Sequence, residues 1–293
     1  MNYIADGAVI TNRLLFTDQR EIDDIMGGSG LYAYSGLRMC TPDSMLVSGV
    51  GRDFDQFYGE WFGRNGCVRD GLLMKVDKTT YNELIYYPDD HYDEYSIYGR
   101  EYERENLPKT VVTALDLAPF LRDAKGIHIS GRMDEQFTQE IARLKSKHGF
   151  RIMWEVPESV VDELAGIYSR KGLGGIQQEL AAVDLFSCNR PESFRIFGAH
   201  TEEEAIGLLK QLEKPVYYRV GKNGAYMIEA GREYFVPMIS TVPPEQEIDP
   251  TGCGNSSTAA AMWAYCEGFD PLMTCVIGNV VASYNVRQYG PYP

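Results

Sequence analysis

Short apolar runs alternate with longer amphipathic stretches along the whole chain. The short runs are rich in β-branched and aromatic residues, and several are continuously apolar, as in strands that are covered on both faces. The longer stretches repeat their apolar positions at helical spacing. Strands are predicted at Tyr3 to Ile10, Ser44 to Val50, Gly126 to Ser130, Arg151 to Glu155, Val183 to Ser187 and Val216 to Val220. Helices are predicted at residues 29–38, 53–65, 134–148, 159–170, 201–213, 253–268 and 271–288.

This alternation predicts an α/β fold in which a mostly parallel sheet lies between two layers of helices. The chain has 293 residues, of which 44% are hydrophobic, so it can bury one large core. In open parallel sheets, ligands bind at the carboxyl ends of the strands. We therefore expect the functional residues to follow the predicted strands.

One segment departs from this rhythm. Residues 72–105 alternate in a way that suits hairpin strands, and they include the Pro-Asp-Asp turn at 88–90. The segment is predicted to form a small β appendage. Such a hairpin covers a sugar-sized ligand, forms a dimer face, or packs as a plain surface meander, and the sequence does not separate these alternatives. Its tyrosines are at positions 81, 86, 87, 92, 95, 98 and 102.

Charge and cysteine usage exclude several classes of protein. The net charge of -14 disfavours nucleic acid and anionic membranes as partners. The 6 cysteines show no C-x-x-C spacing, and the 4 histidines lie far apart, so neither a zinc framework nor a disulfide scaffold is indicated. No basic start precedes an apolar stretch, and no run of apolar residues is long enough to span a membrane. We expect a cytoplasmic protein with reduced thiols.

The segment DPTGCGNSSTAA, residues 249–260, predicts an anion site. Gly252 and Gly254 flank Cys253, so consecutive backbone amides can converge on one point ahead of the helix that follows. The unpaired amides of the first helical turn and the helix dipole favour a negative ligand, such as a phosphate. The alternative is a glycine-rich connection with an Asn or Ser N-cap and no ligand.

The same segment resembles the signature of the ribokinase-like, or PfkB, sugar kinase family, which is roughly D-T-x-G-A-G-D followed by small residues. Other resemblances follow in the family's order: Gly27-Gly28 before a small-residue helix, the segment at 49–53, an N-x-x-E element at 189–192, the V-G-K-N-G turn at 220–224, and a closing helix that ends in Gly-Pro. The resemblance therefore spans nearly the whole chain.

This resemblance implies a fold and a reaction. The fold is a Rossmann-like three-layer α/β sandwich with a mostly parallel central sheet, formed by residues 1–293. Residues 11–24 and 72–108 would contribute a β lid, through which two copies would form a homodimer. Members of the family transfer the γ-phosphoryl group of ATP, with Mg²⁺, to an alcohol group of a sugar or nucleoside.

Site residues follow from the same resemblance. The amides of Gly252, Cys253 and Gly254 would form the anion hole. Asn189 and Glu192 would help to hold Mg²⁺ through water, and Asp249 would lie near a further cation site. The nucleotide cleft would be lined by Gly221, Lys222, Asn223, Gly224 and Asn279, whereas Gly27 and Gly28 would form the hinge of the lid, near a substrate-binding position at Thr11 or Asn12.

Most of these residues have a simpler alternative role. Asn189 and Glu192 can cap the helix after their strand, and Gly221 and Gly224 can be ordinary turn residues. The pair at 27 and 28 can allow close packing, and Asp249 can be an acidic turn residue. Cys253, where the family usually has Ala, is interpreted as a small buried residue and not as a nucleophile.

Asn255 is the main departure from the family's pattern. The family has an aspartate here that accepts the proton of the substrate hydroxyl, whereas a neutral amide can only orient that hydroxyl. Either Glu155 or Asp249 replaces the missing base, or Asn255 caps the helix in a protein that binds a ligand without turnover. The sequence therefore favours a kinase with altered base catalysis over a noncatalytic nucleotide- or sugar-binding protein. An oxidoreductase is disfavoured because no G-x-G-x-x-G follows the first strand.

Overall fold

The computed structural model describes residues 1–87 and 92–293. Within these residues the strands are β1 (Tyr3–Asp6), β2 (Ile10–Phe16), β3 (Glu21–Gly27), β4 (Ser44–Gly51), β5 (Leu72–Val76), β6 (Thr80–Tyr86), β7 (Tyr92–Ser96), β8 (Gly126–Ile129), β9 (Arg151–Glu155), β10 (Leu185–Asn189), β11 (Val216–Arg219), β12 (Gly224–Glu229) and β13 (Arg232–Pro237). The helices are α1 (Ser29–Cys40), α2 (Phe54–Arg64), α3 (Arg100–Thr110), α4 (Ala114–Leu117), α5 (Glu135–His148), α6 (Glu158–Glu179), α7 (Arg190–Phe197), α8 (Glu202–Lys210), α9 (Cys253–Cys266) and α10 (Pro271–Asn285).

A nine-stranded sheet forms the middle layer, in the order β13-β12-β11-β10-β9-β8-β1-β4-β5. The seven strands from β11 to β5 run parallel, and β12 and β13 add an antiparallel edge. Side chains on β1 alternate between two cores, because Ile4 belongs to one buried cluster while Tyr3 and Ala5 belong to the other. Both faces are therefore covered, which explains the continuous apolar runs in the sequence.

The smaller sheet has four strands in the order β3-β2-β6-β7. It confirms the predicted β lid, but its bounds differ from residues 11–24 and 72–108. Strand β5 pairs in parallel with β4 on the large sheet, and residues from Arg100 onward form the exposed helix α3. The predicted Pro-Asp-Asp turn at 88–90 lies outside the described residues. Pairing of two copies through this lid stays a prediction.

Helix boundaries follow local capping chemistry. The Asp134 side chain accepts a hydrogen bond from the Phe137 amide at 2.8 Å, and α5 ends at Gly149 in the left-handed conformation, with φ 79°. Helix α6 is kinked at Gly172, whose φ of 62° and ψ of -159° are not helical, so its first part ends close to the predicted end at residue 170 and a second helical part continues to Glu179. Across the described residues, no helix combines the length and apolarity needed to cross a bilayer.

Asp6 is a buried carboxyl group at the carboxyl end of β1, in the middle of the sheet, and only 4% of it is exposed. Burial raises its pKa to about 7, with Asp116 adding to the rise and Lys75 opposing it. The folded protein therefore keeps this proton at pH values where the unfolded chain, with a pKa of 3.8, has lost it. Stability must fall as the pH rises between these two values.

We expect Asp6→Asn to remove this pH dependence, because an amide does not ionise. The free energy of unfolding of the variant relative to the wild type should increase with pH from about 4 to 7, with a slope of up to about 1.4 kcal/mol per pH unit. Urea denaturation at several pH values measures this difference. Asp123→Asn, at an exposed position, is the matched control and should give a constant difference. Parallel profiles for Asp6→Asn and the wild type would contradict the prediction.

Candidate active site

The turn before α9 has a conformation that requires glycine. Gly252 precedes the helix with φ 77°, and a Cβ atom there would lie 2.1 Å from the ring of Tyr32, a buried residue of α1. The Asp249 carboxylate accepts a hydrogen bond from the Thr251 amide at 2.9 Å, and the Cys253 amide donates to the Pro250 carbonyl at 3.1 Å. These contacts fix the direction in which α9 begins.

The N-terminus of α9 has no side-chain cap within the part of the chain that the structure describes. Asn255 lies inside the helix and Gly252 is the N-cap residue, so the expectation that Asn255 caps the helix is wrong. The hydroxyl groups of Ser256, Ser257 and Thr258 donate to backbone carbonyls of the same turn and do not approach the first amides. Because the Cys253 amide already donates to Pro250, the predicted share of Cys253 in the anion hole is not supported, and the amides of Gly254 and Asn255 are the ones left for a ligand in the first turn of α9.

Three neighbouring parallel strands end beside this helix, and their last residues are Glu155, Asn189 and Arg219. Arg219 Nη1 lies 3.0 Å from Glu155 Oε1. A Cβ atom on Gly254 would lie 2.3 Å from the same Nη1 atom, so the missing side chain of Gly254 makes room for Arg219. The sequence prediction did not include Arg219. Its only signal was its place at the end of a parallel strand.

Glu155 is the centre of a buried polar cluster. Its Oε2 atom lies 2.9 Å from Nε2 of His128, a fully buried residue of β8, and its carboxylate is hydrogen-bonded to the side chain of Asn255. Burial alone would raise the pKa of Glu155, but Arg219, His128 and Asn255 together hold it below its usual value. A carboxylate only accepts hydrogen bonds, so its proximity favours the orientation in which the Asn255 NH₂ group faces Glu155 and the carbonyl oxygen faces away from it.

Asn189 and Glu192 form a capping box at the start of α7. The Glu192 amide donates to Asn189 Oδ1 at 2.9 Å, and the Asn189 amide donates to Glu192 Oε2 at 2.6 Å. Asn189 Nδ2 also donates to Glu192 Oε1 at 2.7 Å, and Arg219 Nη2 lies 3.6 Å from Oε2. Burial raises the pKa of Glu192, while Arg219 opposes the rise. The capping alternative is thus present in the structure, and the metal role stays a prediction.

A cleft of about 320 Å³ opens beside α9. Its lining includes Lys222 and Asn279, together with Gly221, Gly224 and Gly254, so the predicted nucleotide residues come together with the predicted anion hole. Asn223 is not part of the lining; its amide and carbonyl make hydrogen bonds to Val220 and Met238 within the turn.

Two of the cleft residues also have structural roles. Asn279 donates through Nδ2 to the Val236 and Pro237 carbonyls, both at 3.1 Å, and so ties α10 to β13. Gly224 has φ 126°, and a Cβ atom there would lie 2.2 Å from the Val236 carbonyl oxygen. Gly224 is therefore both a turn residue and part of the cleft lining.

The predicted substrate residues lie at the base of the lid and do not line this cleft. Asn12 is buried, and a Cβ atom on Gly27 would lie 2.5 Å from its Nδ2 atom. Gly28, with φ 98°, approaches the Ala8 carbonyl so closely that a Cβ atom would lie 2.3 Å from its oxygen. Close packing thus accounts for both glycines, and the hinge and substrate roles stay predictions. Thr11 Oγ1 is hydrogen-bonded to the Tyr58 hydroxyl at 2.7 Å.

Cys253 and Asp249 have clear local roles. Cys253 is half-buried and lines the cleft, so the expectation of a fully buried residue is wrong. Its Sγ lies 3.6 Å from Asn285 Nδ2, and desolvation raises the pKa of the thiol to about 11, which disfavours a nucleophile. Asp249 is buried in the turn before α9. Among the described residues, no group of three or more His, Cys, Asp and Glu side chains could hold a metal ion directly. The cation site at Asp249 stays a prediction.

Comparison with known proteins establishes the family and the fold. The model of a family described as pfkB family carbohydrate kinase matches residues 18–293. A cytidine kinase of Thermococcus kodakarensis is 24% identical over 296 residues, which cover 100% of this chain and 98% of that protein. A solved structure of a probable sugar kinase from Rhizobium etli superimposes with a TM-score of 0.77 at 15% identity, covering 100% of this chain and 94% of the other.

A second solved structure, of a putative ribokinase II from E. coli in complex with ATP and Mg²⁺, superimposes with a TM-score of 0.74 at 17% identity. It covers 99% of this chain and 94% of the other. At these identities the superpositions establish the fold alone. They confirm the predicted three-layer α/β architecture with a small β lid.

Proposed function

We propose that this chain, which belongs to the pfkB family of carbohydrate kinases, transfers the terminal phosphoryl group of ATP to a hydroxyl group of a nucleoside or sugar. One observation carries the proposal: the uncapped N-terminus of α9 opens into the cleft that Gly221, Lys222 and Asn279 also line. Phosphoryl transfer depends mostly on positioning and on stabilisation of charge, and this helix end provides both. The ATP complex of the E. coli ribokinase II supports ATP as the cosubstrate.

In this mechanism the first-turn amides of α9 hold the phosphoryl group as it moves. The acceptor hydroxyl would lie against Asn255, where the neighbouring Glu155 carboxylate favours the NH₂ group toward itself and the carbonyl oxygen toward the acceptor. Asn255 therefore accepts the hydroxyl hydrogen bond and orients the attacking oxygen, but it does not remove the proton. As the new oxygen–phosphorus bond forms and the bond from the γ-phosphorus to the bridging oxygen of ADP breaks, the hydroxyl proton passes to the transferred phosphoryl group or to solvent water. A loose transition state needs little base assistance until late in the transfer, so a measurable rate is expected without an aspartate.

The residues near Glu192 suit a Mg²⁺ ion that is bound through its water ligands. They do not suit a metal ion that the side chains ligate directly. Both Glu192 oxygens already accept hydrogen bonds from Asn189, which leaves their remaining lone pairs for water. Mg²⁺ commonly keeps several waters and is held by one or two carboxylates together with substrate phosphates. Asn189 and Glu192 would hold the ion through water, and the bound ion would neutralise phosphate charge.

The alternative function, a nucleotide- or sugar-binding protein without turnover, also has a specific observation in its favour. Glu155 is the carboxylate beside Asn255, and it is already bound by Arg219 and His128. Those contacts lower its pKa, so it is a weak base. The sequence offered Glu155 and Asp249 as replacements for the missing aspartate. Glu155 is therefore disfavoured in that role.

A phosphotransfer assay separates the two functions. The wild type is incubated with ATP, Mg²⁺ and a panel of acceptors that includes cytidine, adenosine, inosine and ribose, and the formation of ADP and of the phosphorylated acceptor is measured. We expect acceptor-dependent ADP, which Glu192→Ala should reduce at least tenfold. Glu204→Ala is the matched control, because Glu204 also lies in the first turn of its helix, α8, and caps it through the His200 amide outside the cleft.

The outcomes differ for the two functions. Acceptor-dependent ADP that survives in Glu204→Ala and is lost in Glu192→Ala would support the kinase. ATP binding without ADP for any acceptor would support the binding protein. Absence of binding of ATP and of every acceptor in the panel to the folded wild type would reject both.

A further inference from the structure

Arg219 occupies an unusual electrostatic position. Its guanidinium group lies against the first turn of α9, where a Cβ atom on Gly254 would be 2.3 Å from Nη1. The N-terminus of a helix carries a partial positive charge, so a cation at this place is unfavourable unless anions surround it. Only 12% of the Arg219 side chain is exposed, which strengthens every charge interaction that it makes.

Two carboxylates lie beside the Arg219 guanidinium group. Nη1 lies 3.0 Å from Glu155 Oε1, and Nη2 lies 3.6 Å from Glu192 Oε2. The second distance is an ion-pair separation and is too long for a good hydrogen bond. Glu155 also binds His128 and Asn255, and Glu192 binds Asn189, so neither carboxylate is devoted to the arginine.

Two donor atoms of Arg219 remain without an acceptor. Both Nε and Nη2 are buried, and neither makes a hydrogen bond to the part of the chain that the structure describes. A buried donor left without an acceptor destabilises the fold, and a charged donor does so more strongly. Arg219 also lines the cleft beside α9. The guanidinium group therefore reaches the cleft beside the first turn of α9 through Nη1, while its Nε and Nη2 donors lack an acceptor.

We propose that Arg219 is a phosphate-contacting residue, whose Nε and Nη2 groups donate to the terminal phosphate of the bound nucleoside triphosphate. This inference rests on the proposed function. A cation built into β11 then supplies part of the charge neutralisation that the reaction needs, next to the amides of α9. Glu155 and Glu192 position the guanidinium group, and Gly254 leaves the space for it.

The alternative is that Arg219 only balances the charge of the two carboxylates. A counterion of this kind would hold the cleft together without distinguishing ATP from ADP, whereas a contact to the terminal phosphate distinguishes them. Binding of the two nucleotides therefore separates a ligand contact from a structural role, and the measurement needs no turnover.

The test is calorimetric titration of ATP and ADP, in EDTA, into the wild type, Arg219→Lys and Arg219→Met. Lysine keeps the charge but loses the fork of donors, so Arg219→Lys should weaken ATP binding about tenfold and ADP binding less than threefold. Arg219→Met should weaken ATP binding further. Arg195→Met, which removes an exposed arginine paired with Asp162 at 2.7 Å, is the control and should change neither affinity.

Thermal unfolding of each variant accompanies the titrations, because Arg219→Met leaves two buried carboxylates without their cation. Arg219→Lys keeps that charge and decides the question if Arg219→Met does not fold. Unchanged ATP affinity in Arg219→Lys, or equal losses for ATP and ADP, would overturn this inference while the proposed function stands. Failure of the folded wild type to bind ATP both in EDTA and with Mg²⁺ would overturn both.

Discussion

Asn255→Asp should increase the kcat of phosphoryl transfer by about 10²- to 10⁴-fold, the contribution that general-base assistance usually makes. An aspartate at this position can take the proton of the acceptor hydroxyl, whereas the amide can only orient it. The gain corresponds to about 3 to 5 kcal/mol of activation free energy. Steady-state assays with the best acceptor of the wild type measure it.

The effect of Asn255→Asp should depend on pH in a defined direction. The new carboxylate lies beside Glu155, and a neighbouring like charge raises the pKa of an acid. Only the ionised form acts as a base, so the gain should grow as the pH rises through the pKa of the new aspartate and should then level off. Asn255→Ala, which removes the oxygen that orients the hydroxyl, is the control and should fall below the wild type.

A contrary result would also be informative. If Asn255→Asp folds, binds ATP and turns over no faster than the wild type at any pH, the proton is taken by another group or the chain has lost the reaction. Recovery of activity in Asn255→Asp from an inactive wild type would identify the natural protein as the binding form of the fold. The same set of assays thus evaluates both proposed functions.

The fold was largely predictable because its strands are continuous apolar runs. Strand β9 was predicted with the bounds that the structure has, from Arg151 to Glu155, and α9 was predicted to begin at Cys253. Helix α3 was missed because none of its residues is buried, so it has no apolar stripe to detect. The predicted helix end at residue 170 agrees with the kink at Gly172, but the helical segment that follows it, up to Glu179, was not predicted.

The site was predictable where it depends on local sequence and was missed where it depends on pairing between distant strands. The turn at Gly252 requires left-handed backbone, so its glycine was visible in the sequence. Arg219 and His128 are single residues at strand positions, and nothing near them in the chain indicates a partner. Their shared partner Glu155 lies on β9, which only the sheet order brings between β8 and β10.

The rigidity of the anion hole can be tested at its first residue. Gly252→Ala should lower the free energy of unfolding by about 2 to 5 kcal/mol, of which about 1 to 2 kcal/mol comes from left-handed backbone and about 1 to 3 kcal/mol from overpacking against Tyr32. The ring cannot move away easily, because Tyr32 is only 3% exposed and is surrounded by other buried residues. Urea denaturation measures the loss.

Gly268→Ala is the matched control for this change. Gly268 follows the other end of α9 with a similar φ of 81°, and a Cβ atom there would meet none of the described residues within 4 Å. This variant should cost only the backbone contribution, about 1 to 2 kcal/mol, and should leave ATP binding unchanged. Gly252→Ala should abolish measurable ATP binding, because relief of the clash with Tyr32 displaces the first-turn amides. Equal losses of stability in the two variants would mean that α1 shifts to accommodate the added methyl group. The shape of the anion hole would then depend on the bound ligand and not on the packing of α1 against α9.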